Sequence, residues 1–96
     1  MNKLVLSGEV VQLEPLRYTP AGLPLLSFVV RHVSEQIEAE TKRRVECEMA
    51  VMAIGDIANQ AKQIQLASQV KLAGFIAKRS LKSTQLVLHL NALEII

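Results

Sequence analysis

The sequence predicts an all-β domain that contains one short helix. Five segments alternate with the two-residue period of strands. A single segment, between the third and fourth strands, has the period of a helix instead. The chain has 96 residues, the size of one domain, so we expect residues 1–96 to form a single fold. A parallel α/β fold is excluded because it needs helices between most of its strands.

The first two predicted strands flank a turn. Residues 3–13 alternate loosely, and Gly8 indicates a bulge or sharp bend, as where a strand curls around a small barrel. The segment Thr19–Gly22 has proline in its second position and glycine in its fourth, which suits a type I turn. The second strand, residues 25–33, carries three apolar side chains on one face: Leu26, Phe28 and Val30.

A charged segment precedes the third strand. Residues 34–42 (SEQIEAETK) are predicted to form a loop, whose first part has the composition of a transient helical turn. The third strand, residues 43–54, alternates between two faces. Its inward side chains are predicted to be Val45, Cys47, Met49 and Val51. Its outward side chains are predicted to be Arg44, Glu46, Glu48, Ala50 and Met52.

The helix and two further strands complete the chain. Asp56 is the predicted N-cap, and Ile57, Ala61 and Ile64 share one helical face. Strands are predicted over residues 68–79 and 84–95. Three strands, a short helix and two strands match the five-stranded OB-fold barrel. In this fold, the face of strands two and three and the loops between strands 1–2 and 4–5 form the binding surface.

Composition indicates an oligomer. Half of the residues are apolar, whereas a chain of this length buries only about 60–65% of its unfolded surface. A homodimer would cover the apolar positions that point outward on strands two and three: Val29, Val33, Ala50 and Met52.

The chain is expected to work in the cytoplasm. No apolar run approaches the roughly 18–20 residues that span a bilayer, so no membrane role is predicted. The N-terminal segment is interrupted by Glu9 and lacks a cleavage site, so it is interpreted as a strand and not as a signal peptide. The single cysteine, Cys47, forms no internal disulfide, which fits a reducing compartment.

No catalytic, metal or nucleotide motif is present, and the chain is predicted not to be an enzyme. His32 and His89 lie on different strands, and no clustered Cys and His ligands offer a zinc site. Cys47 is predicted to lie in the core, which argues against a nucleophile. No glycine-rich phosphate loop occurs, and no cofactor is expected.

Two short segments hold six of the eleven basic residues: Lys42, Arg43 and Arg44, and Lys78, Arg79 and Lys82. One interpretation is that they are solvated loops that keep an apolar domain soluble. Both segments border the predicted binding face, so we favour contact with a polyanion, and single-stranded nucleic acid is the usual ligand of such barrels. Tyr18 is the best exposed candidate for base stacking, because Phe28 is predicted to lie in the core. Two outward carboxylates, Glu46 and Glu48, would oppose phosphates on that face.

Five segments in order carry a resemblance to a known family: LVLSGEVV, PLRYTPAGLPLLSFVVRHVSEQIEA, ECEMAVMAIG, VKLAGFIA and LVLHLNALEII. The chain resembles the bacterial primosomal replication protein N (PriB) family over essentially its whole length. This family is similar to the single-stranded-DNA-binding proteins. The resemblance implies a homodimer of barrels that binds single-stranded DNA and stimulates the PriA helicase during replication restart at stalled or repaired forks.

The resemblance also assigns roles by position. It implies that Lys78, Arg79 and Lys82 form the basic loop between strands four and five. It implies that Arg17 corresponds to a basic residue of the family's first hairpin, and that Arg31 and Arg44 line the sheet. The complete predicted set of DNA-binding residues is Arg17, Tyr18, Arg31, Lys42, Arg43, Arg44, Lys78, Arg79 and Lys82. Two alternatives remain open: a protein-interaction adaptor with incidental DNA binding, and a general module for single-stranded nucleic acid or RNA.

Overall fold

The computed structural model describes residues 1–96. Its elements are β1 (Leu4–Leu13), β2 (Arg17–Tyr18), β3 (Pro24–Glu38), β4 (Thr41–Ile54), α1 (Asp56–Ala61), β5 (Gln69–Lys78) and β6 (Leu86–Ile95). The five long strands follow the order β1-β5-β6-β4-β3, and pairing of β3 with β1 closes the barrel. The pairing of β4 with β6 is parallel, and all the others are antiparallel. The predicted OB-fold is therefore confirmed.

The barrel encloses a single apolar core. Thirteen buried residues from all five long strands and the helical region form one cluster, and Phe28 in it is 2% exposed, as predicted. Helix α1 contributes Ala58 and Ala61, and Ile64 follows them. The helix is only six residues long and is not a membrane span; no helix of the chain is long and apolar enough for one.

The predicted N-cap at Asp56 is wrong by one position. Gly55 is the N-cap, with φ of 84°, and Asp56 is the first helical residue. Glycine takes the cap because it adopts a positive φ without steric cost. The carboxylate of Asp56 still lies in the first turn, where negative charge is favourable.

Two glycines allow neighbouring strands to approach closely. A Cβ atom at Gly8 would clash with the carbonyl oxygen of Arg31, and one at Gly74 would clash with that of His89. Strand β1 pairs with β5 over residues 4–9 and with β3 over residues 9–13. The strand changes partner at Glu9, next to Gly8, and its bulge lies between Val10 and Gln12 and not at Gly8.

The predicted loop over residues 34–42 is wrong. Strand β3 continues to Glu38 and β4 begins at Thr41, so the two strands form one long hairpin. Its two turn residues, Ala39 and Glu40, have φ values of 52° and 65°. Positive φ at both central positions is the type I′ geometry, whose twist matches that of the flanking strands.

The long hairpin extends beyond the barrel. Strand β1 pairs with β3 only as far as Arg31, and β6 pairs with β4 only at Val51 and Met52. Cys47 lies in the extension, opposite His32, and is exposed, so the prediction that it belongs to the core is wrong. The alternation of the third strand is correct, but the core reaches only to Met49, because no other strand packs against the hairpin past that point.

Candidate nucleic-acid interface

A tight turn presents Arg17 and Tyr18 at one end of the barrel. The backbone N–H of Gly22 donates to the carbonyl oxygen of Thr19 at 2.8 Å, which confirms the predicted turn. Strand β2 pairs with the start of β3. This pairing leaves both β2 side chains exposed, and the tyrosine is 66% exposed. Its ring is therefore accessible to a ligand, as base stacking requires.

The basic loop, defined here as residues 78–85, connects β5 to β6. The N–H of Arg79 donates to the carbonyl oxygen of Gln85 at 2.9 Å, and that of Ser83 donates to the carbonyl oxygen of Ser80 at 3.2 Å. These bonds hold the base of the loop while its three cationic side chains remain exposed: Lys78, Arg79 and Lys82. None of the three forms an ion pair within the chain.

Arg79 lines a groove on the outer face of β3 and β4, which we call the outer groove. Val29, Ala50, Met52 and Val87 supply its apolar lining, and Gln12, Glu14 and Ser27 its polar lining. Because Leu88 and Leu90 fill the core, Val87 points to the outer face, where it is buried at 2% exposure. The groove therefore places the cation of Arg79 beside an aliphatic surface, and Glu14 is the one carboxylate in its lining.

The cations of the long hairpin are arranged differently. Arg43 Nη1 donates to Glu38 Oε1 at 2.6 Å, and Lys42 Nζ lies 3.7 Å from Glu35 Oε1. The carboxylate of Glu46 accepts from Arg31 Nε at 3.0 Å and from Arg44 Nη2 at 3.3 Å. Every basic residue of this hairpin thus has a carboxylate partner at the surface.

The contact between Arg31 and Glu46 also changes their ionisation. The hydrogen bond from Arg31, and then its positive charge, lower the pKa of the Glu46 carboxyl from its ordinary value, with a smaller effect from Arg44. The same hydrogen bond raises the pKa of the Arg31 guanidinium. Both groups therefore remain charged at neutral pH, and the negative charge of Glu46 offsets part of the positive charge on this face.

The structure exposes all nine predicted DNA-binding residues but divides them into separate sets. The basic loop lies beside the outer groove. Strand β2, with Arg17 and Tyr18, follows Glu14 of the same groove in the chain. The cations of the long hairpin lie on the part of it that extends beyond the barrel. Sequence reasoning missed Gln12 and Val87. The alternation of β6 gives a signal for Val87, whereas Gln12 follows a bulge in β1 that no residue type marks.

Comparisons with known proteins identify the family of this chain. The model of a single-strand binding protein family matches residues 2–92. The chain is 42% identical over 95 residues to the replication restart protein PriB of Nitrosomonas europaea, covering 99% of this chain and 88% of that protein. It is 36% identical over 99 residues to the protein of the same name from Escherichia coli, covering 99% and 94%.

Solved structures give the same result. The priB protein of Ralstonia solanacearum superposes with a TM-score of 0.88 at 29% identity and covers 100% of this chain and 99% of its own. The single-stranded DNA binding protein of Thermus aquaticus has a TM-score of 0.79 at 17% identity, with 50% of its chain covered, which is a likeness of fold. This chain therefore belongs to the single-strand binding protein family and, within it, to the PriB replication restart proteins.

Proposed function

We propose that this protein binds single-stranded DNA as a non-enzymatic accessory subunit of the replication restart primosome and stimulates a PriA-type helicase. The observation that carries the proposal is the outer groove, where Arg79, an unpaired cation of the basic loop, borders a partly buried apolar surface. Membership of the PriB family supports a role in replication restart, since those relatives are named replication restart proteins. The proposal includes the homodimer and the cytoplasmic location expected from the sequence.

The proposed mechanism is electrostatic first. Lys78, Arg79 and Lys82 neutralise phosphates and release counterions, so affinity falls as salt rises. For single strands the slope of log K against log salt is about −0.7 per neutralised phosphate, so three contacts predict a slope near −2. Arg17 adds charge at the β2 turn, and Tyr18 offers an aromatic face to a base.

The hairpin cations are proposed to contribute less. Lys42, Arg43 and Arg44 already interact with carboxylates, and a phosphate must displace these partners or bind beside them. The exposed ion pairs are individually weak, so they lower the contribution of these residues without abolishing it. Arg31 is held by Glu46 in the same way.

The first test is a titration of a fluorescently labelled oligo-dT at several salt concentrations, by anisotropy. We expect binding at about 50 mM salt with a slope near −2. Replacing Lys78, Arg79 and Lys82 together with Ala is expected to remove most of the affinity and most of the slope. The fold should be unaffected, because exposed loop substitutions usually change stability by less than about 0.5 kcal/mol.

A matched control removes the same charge elsewhere. Lys3, Lys62 and Lys71 are exposed, form no ion pair and do not line the outer groove. Their combined replacement with Ala is expected to leave affinity within about threefold of the parent. Equal losses in both triple variants would mean that only net charge matters, and no binding by the parent protein at 50 mM salt would reject the proposal.

A protein-interaction adaptor is the second candidate, and the long hairpin favours it. Its charges are paired, and two apolar side chains are exposed on its outer face, Val33 at 45% and Ile37 at 68%. Repeating the titration with the helicase present, and measuring the activity of the helicase alongside it, separates the candidates. Stimulation of the helicase that survives the loop triple variant would favour the adaptor. Tighter binding of oligo-rU than of oligo-dT would instead indicate an RNA-binding module.

A further inference from the structure

The side chains of Phe75 and His89 stack on the outer face of the barrel, and neither the mechanism above nor the core uses them. They are direct partners in the register of β5 and β6. Their ring centroids are 4.9 Å apart and their planes differ by 2°. Phe75 is 39% exposed and lies outside the core cluster.

This aromatic pair lies next to the outer groove. In the parallel register of β4 and β6, Met52 is opposite His89, and in the register of β3 and β4 it is opposite Ser27. Met52 lines both the outer groove and a second, shallow pocket that contains the pair. Because adjacent strands are about 4.8 Å apart, Phe75 is two strand spacings, or about 10 Å, from Met52.

The residues around the aromatic pair are compatible with binding of a single-stranded nucleic acid. The shallow pocket is lined by Met52, Ile54, Phe75, His89, Leu90 and Asn91, and no carboxylate is among them. The Asn91 amide provides both a donor and an acceptor for the edge of a base. The nearest cation along the strand is Lys78, three residues after Phe75 at the start of the basic loop, and strand alternation places it on the opposite face of β5.

The strand that carries Phe75 is held firmly. Strand β1 pairs with β5 only as far as Gly74, and the Asn2 side chain continues the ladder beyond it. Its Nδ2 donates to the carbonyl oxygen of Ile76 at 2.7 Å, and its Oδ1 accepts from the N–H of Ile76 at 2.9 Å. The ring is thus presented on fixed backbone, which lowers the entropy lost on binding.

We propose that the Phe75–His89 pair is a stacking platform for one nucleobase of single-stranded DNA, at the far end of a path that begins at Arg79. The proposal rests on the DNA-binding function proposed above and extends it. The His89 ring covers one face of Phe75, and a base continues the stack on the accessible side. A stacked aromatic pair holds a base of any sequence, because every base has a π-face.

The test uses two variants of Phe75. Phe75→Leu keeps an apolar side chain and removes the π-face, and we expect its affinity for oligo-dT to fall about fivefold or more, the lower range for one base stack. The salt slope should be unchanged, because no phosphate contact is lost. Phe75→Tyr keeps a ring and is expected to bind within about twofold of the parent protein.

A third variant reports the contact directly. The chain contains no tryptophan, so Phe75→Trp introduces a unique fluorophore, and oligo-dT is expected to quench its emission. Leu66→Trp places the same probe at a residue that is 62% exposed and lines neither the outer groove nor the shallow pocket. Its emission should be unchanged by the oligonucleotide. Thermal unfolding of each variant checks that the barrel is intact.

The outcomes separate this proposal from the one on which it rests. If the parent protein binds and the loop triple variant does not, while Phe75→Leu binds as the parent does, the platform is rejected and the DNA-binding function stands. A Phe75→Leu variant that binds DNA normally but stimulates the helicase less assigns the pair to a protein partner, which also rejects the platform. Absence of any DNA binding rejects both proposals.

Discussion

At the scale of single residues, the carboxylate beside each cation decides what that cation can do. Arg31 and Arg79 are both exposed arginines near the outer face of the barrel. Arg31 donates to Glu46, whereas Arg79 has no acidic partner and lines the outer groove. An arginine without a partner offers all its donors to a phosphate, while a paired one must first lose its carboxylate.

The pairing of Glu46 gives a prediction for the pH dependence of stability. Its pKa is lowered in the folded protein, chiefly by the hydrogen bond from Arg31. This stabilisation is therefore fully present above the ordinary value of 4.5 and is lost as pH falls through the lowered value. We expect Glu46→Gln to reduce the melting temperature by a few degrees at most at pH 7, with the difference from the parent vanishing in strong acid.

Glu48→Gln is the control for this measurement, made by thermal unfolding between pH 2 and pH 7. Glu48 is opposite Arg31 in the strand register but forms no ion pair. Its replacement should give no such pH-dependent difference. A Glu46→Gln difference that persisted at pH 2 would show that packing, and not the ion pair, is responsible.

At the scale of elements, the strands of the barrel were predictable and the long hairpin was not. Leu26, Phe28 and Val30 alternate with more polar residues because one face of their strand fills the core, and this pattern is visible in the sequence. Past Arg31 strand β3 no longer packs against the core of the barrel, so the apolar alternation of this strand weakens although the strand continues. The charged composition of residues 34–42 therefore led to the prediction of a loop.

The turn of the long hairpin also lacks the residue types that predict a hairpin turn from the sequence. Type I′ turns usually contain Asn-Gly or Asp-Gly, since both central residues need positive φ. This turn has Ala39 and Glu40, and cross-strand ion pairs such as Arg43 with Glu38 support it.

For the candidate site, the basic loop was identifiable from charge. The stack of Phe75 on His89 depends on register, which the sequence does not specify.

The hairpin's ion pairs lead to a prediction about its share in DNA binding. A variant with Glu35, Glu38, Lys42 and Arg43 all changed to Gln removes two ion pairs and keeps the net charge unchanged. If the paired cations contribute little, oligo-dT affinity should change by less than about twofold, with the same salt slope. A tenfold loss with a shallower slope would instead show that the hairpin contacts phosphates.

At the scale of the whole molecule, the isolated chain exposes more surface than its mass predicts. Its accessible surface is 6622 Å², whereas a folded monomer of 10.6 kDa is expected to have about 5,500 Å². The radius of gyration, 14.2 Å, also exceeds the value of about 12.5 Å expected for this length. The excess area is comparable to the 800 Å² or so that one subunit contributes to a standard interface.

The place where β1 leaves β3 is the best candidate for this missing contact. Residues 4–8 pair with β5 on one side only, and β3 beyond Arg31 pairs only with β4, so a notch lies between two free strand edges. Val33 and Ile96 line the notch and are exposed at 45% and 75%. Free edges beside apolar side chains are templates for pairing with another chain. Three of the apolar positions that the sequence predicts for the dimer interface, Val29, Ala50 and Met52, also line the outer groove.

We therefore expect a homodimer that covers the notch and leaves the outer groove open to DNA. Sedimentation equilibrium at micromolar concentration should give twice the 10.6 kDa mass of the chain. Val33→Glu is expected to shift the population towards monomer, because it places a charge in the covered surface, where an unpaired charge is costly. Leu66→Glu, at an exposed position outside the notch, should remain dimeric. A monomeric mass for the parent protein would contradict the dimer, and a dimeric Val33→Glu would place the interface elsewhere.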